Sequence, residues 1–321
     1  MKWLILPLIF LFACKKNEQE EIAQFQGVAM TMPYQIKIAK PLSISEKKSV
    51  QSMIDQTFDR INKNVNHWNP NSELSKINQL KSYEALLVSD DIRALFTLAI
   101  QLNKISNEKF DPSLCPLLKQ LKSNQAIDTS VSIGLNKFKL KGHVLTKELT
   151  HLQLDFDAIA KGYAVDILSK NLAKMGYENT FVVWGGEIKA KGAPSKLRNW
   201  NISIRSPHSP HIQDSIAIVP LVDESIATSG DYEQQFTLNS STKKLVTHII
   251  DPISKKALEI TDDSIAAVSV KATSCALADG LATATMLMKG EELSSWLIKI
   301  KKEHPEIDIW VIRHNGSSDI N

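Results

Sequence analysis

The chain has 321 residues, 43% apolar and 23% charged, a composition that excludes disorder and allows one large or two modest domains with a core that needs no staples. Thirty-eight basic against 35 acidic residues give a formal net charge of +3, with no block of like charges to grip a nucleic acid, so no nucleic-acid partner is expected.

At the N-terminus, Lys2 precedes eleven uncharged residues, Trp3 to Ala13. That run is shorter than the roughly 20 residues needed to span a bilayer as a helix, so residues 1–13 read as a signal peptide. Ala13 directly before Cys14, with Leu11 three residues ahead of it, resembles the lipobox of bacterial lipoproteins, in which the Cys14 thiol takes a diacylglycerol; a plain signal peptide is the alternative. Residues 14–24 are then a polar tether and residues 25–321 the folded body, facing the periplasm or exterior of a bacterial envelope. Cys115 and Cys275 lie in apolar contexts and are expected as two separate core thiols.

Val28 to Ile38 reads as a strand, and the segment from Ser45 opens a helix with Val50, Met53, Ile54, Phe58 and Ile61 at helical spacing. A polar turn, Asn64 to Asn71, leads to a short helix at Ser72 to Asn78 and to a helix capped near Ser89 or Asp90. Lys137 to Thr146 alternates around Gly142 as a hairpin, and Leu152 to Asp155 begins another strand. A helix follows from about Ala158 to Met175, closed by Gly176, and then a buried strand, Phe181 to Trp184, stopped by Gly185-Gly186. Asn201 to Val270 is strand-rich, Ser274 to Lys289 is a small-residue helix, and a helix at Glu291 to Lys301 with a strand at Ile307 to Ile312 ends the chain. Strands and helices interleave without a strict βαβ period, which argues for an α+β fold with any second lobe inserted in the main domain.

Four segments carry polar residues that packing alone does not require. Leu154 to Ala164 runs two carboxylates, Asp155 and Asp157, into a helix start bearing Lys161 and Gly162; helix N-termini attract phosphate, and either Asp also suits a plain N-cap. Asp279 and Thr283 sit four apart on one helix face, an oxygen half-site for Mg²⁺ or simply a solvated face. His248 and Asp251 flank two apolar residues at a strand end, a spacing that suits a tuned base as well as structural hydrogen bonds. Ala227 to Tyr232 and Gly185 to Glu187 are compact turns that would let a ligand approach the backbone. The signatures of zinc and serine hydrolases, P-loop NTPases and Rossmann oxidoreductases are absent from the sequence.

Taken in order, these segments resemble the ApbE family of flavin transferases across nearly all of the chain beyond the tether. The likeness also runs through His67-Trp-Asn-Pro-Asn-Ser-Glu-Leu-Ser-Lys-Ile-Asn78 and Phe110-Asp-Pro-Ser-Leu-Cys-Pro-Leu117. It implies a T-fold-related α+β body with a smaller inserted lobe and an FAD and Mg²⁺ site in the cleft between them. It implies Mg²⁺ on the Ala158 carbonyl, Asp279 and Thr283 with the backbone of Ala282 close, and FAD contacts at Met30, Trp68, Asp155, Lys161, Thr228 and His248. The reaction implied is attack by a Thr or Ser hydroxyl of a target protein on the FMN-side phosphorus of FAD, releasing AMP, with His248 and Asp251 as base. The targets implied are subunits of membrane redox complexes of the Rnf or Na⁺-translocating NADH:quinone reductase type. Alternatives are an FAD pyrophosphatase giving FMN and AMP, and an FAD-binding lipoprotein without turnover.

The sequence departs from the family pattern in several places. Met30-Thr-Met-Pro stands for Met-Gly-Thr, Leu118 to Lys122 for a Trp-Gly-Phe stretch, and Cys115 for Gly. Gly280 stands for Ala. Asp157 stands for a common Gly beside the metal carbonyl, where a helix cap is favoured over a second Mg²⁺ ligand.

Overall fold

The computed structural model describes residues 22–207, 215–231, 235–237 and 245–321. The expected signal peptide, the expected lipidation site Cys14 and residues 14–21 of the expected tether, together with Tyr232, lie outside these residues. The chain order is β1 (Ala23–Ala29), β2 (Met32–Ile38), α1 (Ile44–Asn64), α2 (Glu73–Gln79), β3 (Ala85–Leu87), α3 (Asp90–Ile105), α4 (Cys115–Lys122), β4 (Phe138–Lys141) and β5 (Val144–Lys147). It continues with α5 (Asp157–Lys174), β6 (Thr180–Trp184), β7 (Glu187–Lys191), β8 (Trp200–Arg205), β9 (Ser215–Leu221), β10 (Ser225–Gly230), β11 (Gln235–Thr237) and β12 (Leu245–Asp251). β13 (Lys256–Glu259), β14 (Ile265–Ala272), α6 (Cys275–Thr285), α7 (Gly290–Glu303), β15 (Asp308–Arg313) and β16 (Ser318–Ile320) complete it.

An eight-stranded sheet in the order β1-β2-β6-β7-β10-β14-β15-β16 organises the molecule, and its pairings are antiparallel. Alternate residues feed opposite faces, as the period of a strand requires. Val182, Val268 and Val270 join the large core under α1, α5 and α6, while Phe181, Ala267, Trp310 and Ile312 pack with Trp200, Ile204, Val219 and Leu221 of the β8–β9 ribbon. Small sheets β3-β5-β4 and β11-β12-β13 lie in insertions, and Leu117 and Leu121 of α4 pack on Val246 and Ile250 of β12.

Local chemistry explains most boundaries. Ser43 and Glu46 close a capping box on α1, and Ser72, Ser89 and Ser274 accept the amides that start α2, α3 and α6. Gly162 lets α5 approach α6 closely, since a Cβ there would stand 2.4 Å from the Cys275 carbonyl oxygen. Asp166 of α5 takes the Ser274 hydroxyl and the amides of Cys275 and Ala276, so one helix caps the next.

Three expectations are corrected. The strand expected over Val28 to Ile38 is a hairpin, because Met30 and Thr31 turn at φ 45° and 70° between Ala29 and Met32. The segment Leu152 to Asp155 is not a strand. Asn78 substitutes for a partner strand, its amide bonding the Leu154 N–H and C=O, and the buried Lys147 ammonium holds the Leu152 carbonyl. The folded body already includes Ile22 and Ala23, ahead of the expected residue 25, because Ile22 packs on the core and β1 pairs Ala23 with Ile38. Cys115 and Cys275 are both buried free thiols.

Candidate functional site

A cavity of ≈ 620 Å³ opens beside the start of α5, between the β1–β2 turn, β10, β12 and α6. Met30, Trp68, Asp155, Ala158, Lys161, Thr228, His248, Asp279 and Thr283 all line it. Residues from six separate stretches of chain therefore meet in one place, although sequence spacing related them only in pairs.

Asp279 is buried on the inner wall, and its Oδ2 accepts the Gly162 N–H at 3.1 Å. In a regular α-helix that amide serves the carbonyl four residues back, here Ala158, so Asp279 and the Ala158 carbonyl converge on one N–H. Burial pushes the Asp279 carboxyl up to about 6, against the pull of Lys161. Thr283, one turn further along α6, shares a 3.0 Å hydrogen bond with Ser229 of β10. Lys161 is paired with Glu187, which is fully buried at the start of β7. Burial and the nearby Asp279 charge raise Glu187 to about 8, with Lys161 opposing. The Thr228 hydroxyl lies 2.8 Å from that of Ser269.

On the outer wall, Trp68 is largely exposed, with the Lys122 ammonium 4.8 Å from its ring centre and its Nε1 donating to Asp157 Oδ2 at 3.3 Å. Asp157 does not cap α5; the helix is instead supported by Asp155, whose Oδ1 accepts the Asp157 amide at 2.8 Å. The buried His67 ring faces both carboxylates, its Nδ1 3.5 Å from Asp155 and 3.3 Å from Asp157. Burial works against the imidazolium, yet the two carboxylates outweigh it and hold His67 above the ordinary histidine value. Burial, joined by the Asp157 charge, raises Asp155 to about 6.

Two expected site residues stand apart from the wall. Ala282 is fully buried and is not among the lining residues. Asp251 is not a lining residue either, because its carboxylate accepts the Ile253 amide and the Ser254 hydroxyl in the turn after β12. It also faces Lys109, whose Nζ is 3.6 Å away, and Lys109 does line the cavity. Sequence spacing alone marked neither Lys109 nor His67 as a site residue, and it touched Ser229 only within the Ala227 to Tyr232 turn. Glu187 was visible only as part of a Gly-Gly turn, for its partner is 26 residues distant. A carboxylate directly after Gly185-Gly186, at the head of a strand whose other charged residues are Lys189 and Lys191, was the one available signal.

A wall of buried carboxylate, hydroxyl and ammonium groups has the make-up of an enzyme site for a phosphate-bearing ligand and a hard cation. Residues 30–308 match the sequence profile of the ApbE family, and the chain belongs to that family. It is 34% identical to the FAD:protein FMN transferase of Chlamydia muridarum over 97% of each chain, and 31% identical to that of Vibrio cholerae over 90% of this chain and 88% of the relative. Among solved structures it is similar to the flavin transferase ApbE from Vibrio cholerae (TM-score 0.76, 29% identity, covering 94% of this chain and 96% of that one). It is also similar to the Pseudomonas stutzeri flavinyl transferase ApbE in its apo form (TM-score 0.80, 25% identity, 94% of each chain).

Proposed function

We propose that this chain transfers the FMN half of FAD to a Thr or Ser hydroxyl of an acceptor protein and releases AMP, with Mg²⁺ held by Asp279, Thr283 and the Ala158 carbonyl. The observation that carries this reading is the buried Asp279, drawn against Gly162 and set beside Thr283 and Lys161 on one cavity wall. These donors are hard oxygens, which fit Mg²⁺, and Ala158 lines the same cavity at the start of α5. Bound there, the ion would neutralise charge on the pyrophosphate.

On this reading the chain's own groups do the rest. Lys161 adds positive charge beside the phosphates while Glu187 fixes its position. Trp68 offers a flat exposed face to a flavin or adenine ring, and Met30 and Thr228 close the same cavity. His248, on the wall, takes the proton of the acceptor hydroxyl. Asp251 contributes indirectly, by holding Lys109 at the wall and shaping the turn after β12.

Among the described residues no helix is long and apolar enough to cross a membrane. Membrane attachment on this reading rests on lipidation of Cys14 in the bacterial envelope, with acceptors in redox complexes of the Rnf or Na⁺-translocating NADH:quinone reductase type. The test is incubation with FAD and Mg²⁺, with and without an acceptor peptide, following AMP and peptide mass. AMP with a peptide heavier by one FMN supports transfer; AMP with free FMN and unchanged peptide indicates pyrophosphatase action instead. FAD binding with no AMP in either tube would sink both.

A further inference from the structure

His67, Asp155 and Asp157 come together from two stretches of chain that are far apart in sequence, at the outer wall of the cavity. One ligand atom from each lies within 4.8 Å of the others. The His67 side chain is only 5% exposed, and its Nδ1 reaches hydrogen-bond geometry with neither carboxylate although both face it. Two anionic oxygens converging on a buried ring nitrogen leave a space that needs a positive occupant.

We propose that His67 Nδ1, Asp155 and Asp157 bind a divalent transition-metal ion of the zinc class, at a site separate from the oxygen donors of Asp279, Thr283 and Ala158. The spacing suits such an ion: ligands about 2.0–2.2 Å from a tetrahedral metal stand about 3.4 Å from one another, and the nitrogen lies 3.5 and 3.3 Å from the two oxygens. The donor set suits it too, because imidazole nitrogen favours zinc, nickel, iron or copper, whereas Mg²⁺ prefers oxygen alone. An outer layer already orients the ligands. Trp68 Nε1 holds Asp157 Oδ2 at 3.3 Å and the Asp157 amide holds Asp155 Oδ1 at 2.8 Å. Asp157 is half-exposed, which gives an ion a way in and leaves room for water as the fourth ligand. The Lys122 ammonium over Trp68 is the nearby opposing charge, and two carboxylates exceed it. The inference does not depend on the transferase reading, since it requires neither FAD nor turnover.

The test is a Co²⁺ titration of the metal-stripped full chain, without FAD or Mg²⁺ and above neutral pH, followed by visible absorption. The expected result is a saturable band from a single nitrogen- and oxygen-ligated ion that Zn²⁺ displaces and excess Mg²⁺ does not. His67→Gln should weaken the binding roughly 100-fold. Asp157→Asn, whose half-exposed side chain makes it the safer variant for folding, should weaken it too, and circular dichroism confirms that each is folded. Asp279→Asn should keep the band. Absence of a saturable band would mean that a proton, not a metal, fills the gap. A band unchanged in folded His67→Gln and Asp157→Asn, or one lost in Asp279→Asn, would overturn the assignment as well.

Discussion

The backbone N–H of Gly162 in α5 donates to Asp279 Oδ2 in α6 across 3.1 Å, between helices packed so closely that a Cβ on Gly162 would strike the Cys275 carbonyl. On the proposed function the carboxylate has two tasks, accepting this amide and offering its second oxygen to the metal ion. Asp279→Asn separates them, because the amide oxygen can still accept from Gly162 while the charge is lost. Mg²⁺-dependent AMP release should fall by about 10²–10³, with the circular dichroism spectrum unchanged. Retention of near-full rate in this variant would remove Asp279 from the metal site.

The metal-free protein should become less stable as pH rises. Burial and the neighbouring Asp279 push Glu187 up to about 8 from an ordinary 4.5, and burial pushes Asp279 up to about 6 from an ordinary 3.8. Between each pair of values the folded state holds more protons than the unfolded one, so stability falls as pH climbs through that window and stays low above it. Thermal unfolding in chelator should show Tm declining from about pH 5 to pH 8, with Glu187→Gln flattening the upper part. Added Mg²⁺ should raise Tm more at the alkaline end, where Asp279 is ionised and ready to ligate. A rising Tm over the same range, or a Glu187→Gln profile that overlays the wild type, would contradict the assignment.

Lys161 and Glu187 invite a double-mutant cycle. Lys161→Met leaves Glu187 buried without its cation, but a carboxyl already raised to about 8 takes up a proton instead, so the cost should be only about 1–3 kcal/mol. Adding Glu187→Gln should recover part of that stability. Neither the single nor the double variant should recover AMP release, because the ammonium beside the phosphates is gone from both. Restored turnover in the double variant would show that Lys161 matters only as a counter-ion to Glu187.

How far the sequence reached depends on whether a signal was local. Capping serines, the Gly176 stop after α5 and the alternation around Gly142 are local, and each element they predict is present. The Asp279–Thr283 pair was legible because helical geometry fixes residues four apart on one face. What escaped was set by distant partners. Asn78 imitates a strand beside Leu154 from 76 residues away, Asp157 turns from capping α5 to meet His67 and Trp68, and Asp251 turns towards Lys109. No spacing rule carries such information; the tertiary fold supplies it.

The β1–β2 turn is the sharpest case, and it makes its own prediction. A two-residue hairpin loop with positive φ at both positions ordinarily takes Asn-Gly, yet Met30 and Thr31 occupy it at 45° and 70°. For a β-branched Thr this conformation is strained, and the strain lies on the cavity wall that both residues line. Thr31→Gly should relieve it and raise stability by about 1–2 kcal/mol, since among the described residues the Thr31 hydroxyl bonds only its neighbour, the Met30 carbonyl. Met30→Asn combined with it should add to stability while weakening FAD several-fold, because the thioether leaves the cavity. Urea unfolding and FAD fluorescence titration measure the two effects separately. Destabilisation by Thr31→Gly would show that the turn is held by contacts outweighing its strain, and unchanged FAD affinity in the double variant would take Met30 out of the binding wall.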